Sequence, residues 1–275
     1  MPLFSNNYDN PGPGVSEDEE QKIGLLRYFI VIGRHFWDLG ILNVVYFFAS
    51  IPAIVAYFFV ACFALPDSGE VISKLSFELA VCLGIVLPAF LGNGPVRMGM
   101  CYVLRNYSRE VHAFMWSDLK ENAKKYFLRS TVFFLINIAF VFVVCLDINF
   151  YFELARSGAF VGLISIYLAI FIFLIYIVFN SYFNMITVTF DMGVKETVRN
   201  AFALTMGKFV QNFACLAVAV AFAVFLLWLV FKWAIMAFVL LLVGYSYIML
   251  LLDMNSFSVV KKYMAKEEEE KYEEE

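Results

Sequence analysis

Charged residues are scarce in this chain. Asp, Glu, Lys and Arg make up 16% of the 275 residues, whereas hydrophobic residues make up 62%. Soluble domains contain roughly 25% charged and 45–50% apolar residues. Because so little polar surface cannot cover a water-soluble globule, the composition excludes an ordinary soluble domain and indicates a membrane protein.

Residues that hold metals or carry out catalysis are scarce as well. His35 and His112 are the only histidines, and the five cysteines form no CxxC pair. Zinc and haem sites need such clusters, so we expect no metal or cofactor and expect the cysteines to pack as small apolar residues. The chain has no Walker, GxSxG or HExxH motif, and we predict that it is not an enzyme. Nucleic-acid binding has no support beyond positive charge.

The first 20 residues lack the basic region and apolar core of a cleavable signal peptide. We therefore expect the first membrane helix to act as the targeting signal. Residues 1–20 are polar and acidic, and residues 261–275 form a charged tail. Segments of this kind are usually solvated, so we expect both to be disordered.

Long hydrophobic runs fill the chain between these ends. A helix of about 20 apolar residues crosses the ~30 Å hydrocarbon core of a bilayer. We predict one membrane domain over residues 21–260 that contains six spanning helices. They cover about residues 39–65, 79–96, 130–146, 158–184, 209–231 and 233–252. The predicted fold is an all-α integral membrane protein with six transmembrane helices arranged as three hairpins.

Basic residues are unevenly distributed between these spans. With six spans, 17 of the 20 Lys and Arg residues fall on one side, and Lys74, Arg156 and Lys232 fall on the other. Cytoplasmic loops carry the excess of basic residues. We therefore expect a multi-pass protein of the bacterial plasma membrane with both termini in the cytoplasm.

A basic amphipathic stretch precedes each outward-going span. These stretches cover residues 21–37, 117–129 and 194–208. Their apolar residues recur at helical spacing, which is typical of a helix that lies in the headgroup plane. The pattern predicts three copies of one unit, in which a cytoplasmic interfacial helix introduces a transmembrane hairpin.

Few polar side chains fall within the predicted spans. The candidates for an intramembrane polar role are Asn43, Glu78, Asn137 and Asn184. An amide in hydrocarbon must find a partner, so the asparagines are more often interhelical contacts than ligands. Glu78 lies at the outer end of the second span and is a candidate for a transport or ligand role, because ionisable residues in membranes are costly.

The stretch from Gly94 to Arg129 carries the densest set of motifs. Gly94-Pro95 is expected to end or kink the second span. The residues that follow predict either a basic helix on an anionic leaflet or a docking surface for another membrane complex. The candidate docking residues are Arg97, Arg105, Arg109, Glu110 and His112.

At this stretch the chain resembles the YesL-like family of bacterial multi-pass membrane proteins. The motifs that carry the resemblance are Leu42-Asn43, Ser50-Ile51-Pro52, Gly94-Pro95, Tyr102-Val103-Leu104-Arg105, Arg109-Glu110, His112-Ala113-Phe114, Asp118, Asn122 and Lys124-Lys125. The family has no established biochemical activity and no site residues to carry over. Its members are commonly encoded beside carbohydrate ABC transporters, which implies an accessory role in sugar uptake.

Three functions are therefore compatible with the sequence. The first is a non-enzymatic accessory protein that supports a carbohydrate ABC transporter. The second is a small transporter or channel, and the third is a lipid-binding or membrane-shaping protein that acts through the interfacial helices. The lipid bilayer is a partner in all three.

Overall fold

The structure is a computed structural model that describes residues 25–67, 69–109, 111, 113–190, 192–233 and 243–273. All regular secondary structure in these residues is helical. The helices are α1 (Leu25–Arg34), α2 (Phe36–Ala49), α3 (Ile51–Ala64), α4 (Glu70–Phe90), α5 (Pro95–Ser108), α6 (Met115–Lys125), α7 (Phe127–Arg156), α8 (Phe160–Thr189), α9 (Val194–Gly207), α10 (Phe209–Lys232) and α11 (Tyr245–Glu273). The expectation of an all-α membrane protein is therefore confirmed.

Among the described residues, four helices are long and apolar enough to cross a membrane, and a fifth span results if the bent pair α1–α2 counts as one. The four are Val71–Phe90, Phe127–Arg156, Phe160–Thr189 and Phe209–Val230. Six spans thus remain a prediction. Residues 234–242 of the sixth predicted span, 233–252, lie outside the described residues.

The first predicted span, residues 39–65, is not one continuous helix. It is divided at Ser50 into α2 and α3, and each part has 14 residues. Pro52 explains the division, because proline has no N–H to continue the helical hydrogen bonds. The Ser50 hydroxyl at the break donates to the Tyr46 carbonyl at 2.6 Å.

The second span ends earlier than predicted. Its helix α4 stops at Phe90 rather than near residue 96, and α5 begins at Pro95. Gly92 and Gly94 lie between the two helices with positive φ values of 86° and 83°. Glycine adopts this conformation without the steric cost that other residues incur, so the two glycines allow the chain to turn inside the protein.

Helices are found where the three amphipathic stretches were predicted. They are α1, α6 and α9, and each stands directly before an apolar helix. The axes of α1 and α2 differ by 83° at the break between them. The position of these helices in a headgroup plane stays a prediction.

The C-terminal tail differs from the expected disordered segment. The helix α11 continues to Glu273. Glu and Lys, which make up most of this tail, are good helix formers. Residues 1–20, which we also expected to be disordered, lie outside the described residues.

Burial is concentrated around α5 and the second half of α8. In α5, Arg97 to Ser108 are buried except for Tyr102. In α8, nearly every residue from Ile177 to Val188 is buried, whereas Gly162 is the only buried residue before Ile177. The helices α6, α8 and α11 pack around α5, so the core lies where these elements meet.

Candidate functional site

The most unusual feature of the core is a buried ion pair between α5 and α11. The Arg97 guanidinium donates two hydrogen bonds to the Asp253 carboxylate, at 2.9 Å from Nη1 and 2.6 Å from Nη2. The two side chains are only 3% and 1% exposed. A bidentate arginine–carboxylate pair is strong and directional, so it fixes how α5 and α11 lie against each other.

The turn before α5 determines where Arg97 lies. A Cβ atom on Gly92 would stand 2.7 Å from Cγ of Arg97. Glycine is therefore required at position 92 for space as well as for its positive φ. Burial acts to lower the pKa of Arg97, but the Asp253 carboxylate outweighs it, and the pKa lies above its ordinary value. The guanidinium stays charged.

A second buried arginine, Arg105, lies about two turns further along α5, and no carboxylate of the described residues pairs with it. The Nη1 atom of Arg105 donates to the Val188 carbonyl at 2.7 Å and to Oγ1 of Thr189 at 3.3 Å. These acceptors belong to the last turn of α8, whose carbonyls carry partial negative charge. Burial lowers the pKa of Arg105. Arg105 therefore attaches α5 to the end of α8.

Asparagines of α7 and α8 form a connected hydrogen-bond network. The amide of Asn184 donates to Oδ1 of Asn180 at 2.8 Å, and the amide of Asn180 donates to Oδ1 of Asn137 at 3.0 Å. The Tyr176 hydroxyl also donates to Oδ1 of Asn137, at 2.6 Å. The amide of Asn137 donates to the Leu91 carbonyl at 2.9 Å. The network thus joins α7 and α8 to the turn between α4 and α5.

The ion pair and the asparagine network meet at a narrow crevice. Its cavity volume for a water-sized sphere is only about 10 Å³, and Arg97, Asn137 and Asn184 contribute polar side chains to its lining. The other lining residues are Leu91, Gly94, Met98, Ser130, Phe133 and Phe134. We call Arg97, Asp253, Asn137, Asn180 and Asn184 the polar centre. Its polar groups mainly satisfy one another, which favours a structural lock over a catalytic site.

The predicted docking residues do not form one surface. Arg97 is 2% exposed and Arg105 is 7% exposed, so the prediction that they belong to a docking surface is wrong. Both guanidinium groups form hydrogen bonds inside the protein, Arg97 with Asp253 of α11 and Arg105 with the Val188 carbonyl of α8. Arg109 is exposed at the end of α5 with its guanidinium 5.9 Å from the Phe257 ring centre. Glu110 and His112 lie outside the described residues.

The predicted intramembrane polar residues fall into three places. Asn137 and Asn184 come together in the polar centre through Asn180. Asn43 is buried between α2 and α11, where its Oδ1 accepts from the Ser246 N–H at 2.8 Å. Glu78 is exposed on α4 and is not part of the crevice lining.

Asp253 is the residue that sequence reasoning missed. The last predicted span ended at Leu252, so Asp253 read as the first polar residue outside the membrane. It is separated from Arg97 by 156 positions, and only the packing of α5 against α11 brings the two together. The only local indication of a special role for Asp253 was that a single acidic residue directly follows an apolar run.

Metal binding finds no geometric support in the part of the chain that the structure describes. No three His, Cys, Asp or Glu side chains in that part are grouped closely enough to hold an ion. Comparisons of the chain with protein-family models, curated proteins and solved structures give no match. The candidate function therefore depends on the geometry and on the resemblance described above.

Proposed function

We propose that the protein is a non-enzymatic accessory protein that presents α6 as a docking helix to another membrane complex. The observation that carries this proposal is the way α6 is held. The polar centre fixes α5 from within, and α6 packs along α5 at very short range, since a Cβ atom on Gly99 would stand 2.4 Å from the Leu119 carbonyl oxygen. A helix held this closely is a rigid platform.

The outer face of α6 has the composition of a docking surface. Trp116 is 57% exposed, and Lys120, Glu121, Lys124 and Lys125 are also exposed on α6. Interfaces are enriched in tryptophan at their centres and polar at their rims. Because Arg97 and Arg105 are buried, α6 replaces them as the centre of the proposed docking surface.

The resemblance to the YesL-like family suggests the class of partner. A carbohydrate ABC transporter is the complex that the family's genomic neighbourhood implies. In this proposal the protein supports such an importer in the plasma membrane, with its basic loops on the cytoplasmic side, and does not transport the sugar itself.

Purification of the tagged full chain from native membranes in mild detergent tests the proposal. The wild type should recover a carbohydrate ABC transporter in stoichiometric amount, and Trp116→Ala with Lys120→Glu should lose it. Trp37→Ala is the matched control, because Trp37 is 79% exposed on α2 and should leave recovery unchanged. Recovery of the chain alone would overturn the docking role, and a stoichiometric partner of another class would overturn the sugar-uptake role.

A small transporter is the second candidate, and the interruption between α4 and α5 favours it. Transporters often bind substrate where discontinuous helices meet, and the interruption lies beside Asn137 and Asn184. If the chain transports a sugar or an ion, the purified protein in liposomes should move it, and Asn137→Leu should reduce the rate. Glu78→Gln serves as a control away from the crevice.

A further inference from the structure

The surface of α9 is divided into three strips that run along the helix. The buried strip consists of Thr197, Ala201 and Thr205. Beside it lies an exposed apolar strip of Val194, Val198, Phe202 and Met206. The exposed basic residues Lys195 and Arg199 follow at the edge of the apolar strip. Residues four apart advance only about 40° around a helix, so each strip stays on one side.

The apolar strip continues into a predicted membrane span. Phe209 is 37% exposed and Val210 is 81% exposed at the start of α10, and α10 is long and apolar enough to cross a membrane. The exposed apolar strip of α9 is thus followed along the chain, after Lys208, by exposed apolar side chains on a helix that can span a membrane. A water-facing helix would carry polar residues at these positions.

Charge points to the kind of lipid. Lys195 and Arg199 stand one position after Val194 and Val198, so their long side chains can extend from the apolar boundary to headgroup level. Glu196 is exposed on the opposite edge of the helix. The loop that contains α9 lies on the side that holds 17 of the 20 basic residues if the chain has six spans. Basic residues at such a boundary attract anionic phospholipids.

We propose that α9 lies in the headgroup layer of an anionic leaflet, with Val198 and Phe202 at the acyl boundary and with Lys195 and Arg199 on lipid phosphates. The buried strip holds the helix to the protein, because Thr197 accepts a hydrogen bond from Arg129 at 2.6 Å. The bilayer is thus the occupant of the apolar strip. This surface is separate from α6, so the inference does not rest on the docking role.

Depth measurements on the full chain in lipid nanodiscs test the inference. Nitroxide labels are placed by Phe202→Cys on the apolar strip and by Ala203→Cys on the exposed edge away from it. The background carries Cys62→Ala, because Cys62 is the exposed native cysteine. Val198→Cys with Glu196→Cys is a second matched pair in case Phe202→Cys fails to fold. The discs contain phosphatidylcholine with or without phosphatidylglycerol.

For each label, we compare its accessibility to oxygen with its accessibility to a water-soluble nickel complex. We expect the ratio of oxygen to nickel accessibility to be severalfold higher at position 202 than at position 203. Adding phosphatidylglycerol should increase this ratio, and Lys195→Gln with Arg199→Gln should remove the increase. Equal ratios at the two positions would overturn the interfacial placement. A ratio independent of phosphatidylglycerol would overturn the anionic preference, and dipolar broadening between labels would show that a second copy covers the strip instead.

Discussion

The two halves of α8 differ more than their sequences suggest. Both halves are apolar and belong to one continuous helix of 30 residues. The first half exposes large side chains such as Phe160, Tyr167 and Leu168, whereas the second half is buried on almost every side. The buried asparagines Asn180 and Asn184 occur only in the second half.

The neighbours of each half explain the difference. The second half of α8 is attached to α5 through Arg105 and to α11 through the hydrogen bond between Ser181 and Ser256, at 2.7 Å. The first half faces outward, and in a membrane its apolar side chains would contact lipid tails that are as apolar as they are. The two halves therefore have similar hydrophobicity, and the buried polar residues identify the half that is enclosed by protein.

The largest expected effect comes from removing Asp253, which would leave Arg97 charged and buried. Breaking one side of a buried ion pair costs about 3–5 kcal/mol. We expect Asp253→Ala to lower the free energy of unfolding by this amount in detergent-solubilised protein, measured by denaturant titration. Asp147→Ala is the control, because Asp147 is exposed on α7 and should change stability little. Equal losses for both variants would refute the special role of the pair.

A smaller loss is expected from Asn180→Leu, in the enclosed half of α8. The substitution leaves Asn184 and Asn137 each without one hydrogen-bond partner, which costs about 1–3 kcal/mol. Leu168→Ala in the outward-facing half, where Leu168 is 56% exposed, should stay within about 0.5 kcal/mol. If Leu168→Ala lowers the free energy of unfolding as much as Asn180→Leu does, the proposed difference between the two halves of α8 is wrong.

Gly99→Ala should disturb the contact between α5 and α6 in a similar range. The added Cβ would overlap the Leu119 carbonyl oxygen, and overpacking of this kind costs about 1–3 kcal/mol. Gly33→Ala is the matched control, since no atom lies within 4 Å of its Cβ position. It should be neutral or stabilise α1 by up to about 1 kcal/mol. Thermal unfolding of the two variants side by side measures the difference, and a neutral Gly99→Ala would contradict the close contact.

The smallest effect is expected where the outward-facing half of α8 meets α10. The Phe171 ring lies 5.8 Å from the Phe213 ring and 6.1 Å from the Phe209 ring. Loss of aromatic contacts in Phe171→Leu should cost about 0.5–1.5 kcal/mol. Phe160→Leu, at a position 72% exposed, should cost less. The same unfolding assay compares them, and a larger loss for Phe160→Leu would show that this end of α8 is covered.

The sequence predicted the helical membrane class and the places of α1, α6 and α9 because hydrophobic runs and amphipathic spacing are local signals. It also predicted that Gly94-Pro95 would end a helix, although the helix α4 already ends at Phe90. The first span was predicted as one run over residues 39–65 in which Pro52 marked a possible break, and the structure divides it at Ser50.

The polar centre was only partly predictable. Asn137 and Asn184 stood out because amides in apolar runs need partners. Arg97 and Arg105 read as surface residues, since a basic loop near a membrane usually faces water and nothing local distinguishes a buried arginine from an exposed one. Their burial depends on Asp253 and on the carbonyl of Val188, which packing alone brings to α5.

The most direct test of the buried lock between α5 and α11 is a double-mutant cycle on Arg97→Met and Asp253→Leu. Each single variant leaves an unpartnered charge, and the double variant removes both charges. We expect the double variant to be more stable than either single variant, with a coupling free energy of about 1–3 kcal/mol between the two sites. Additive losses from the two substitutions would contradict the claim that this pair holds α5 against α11.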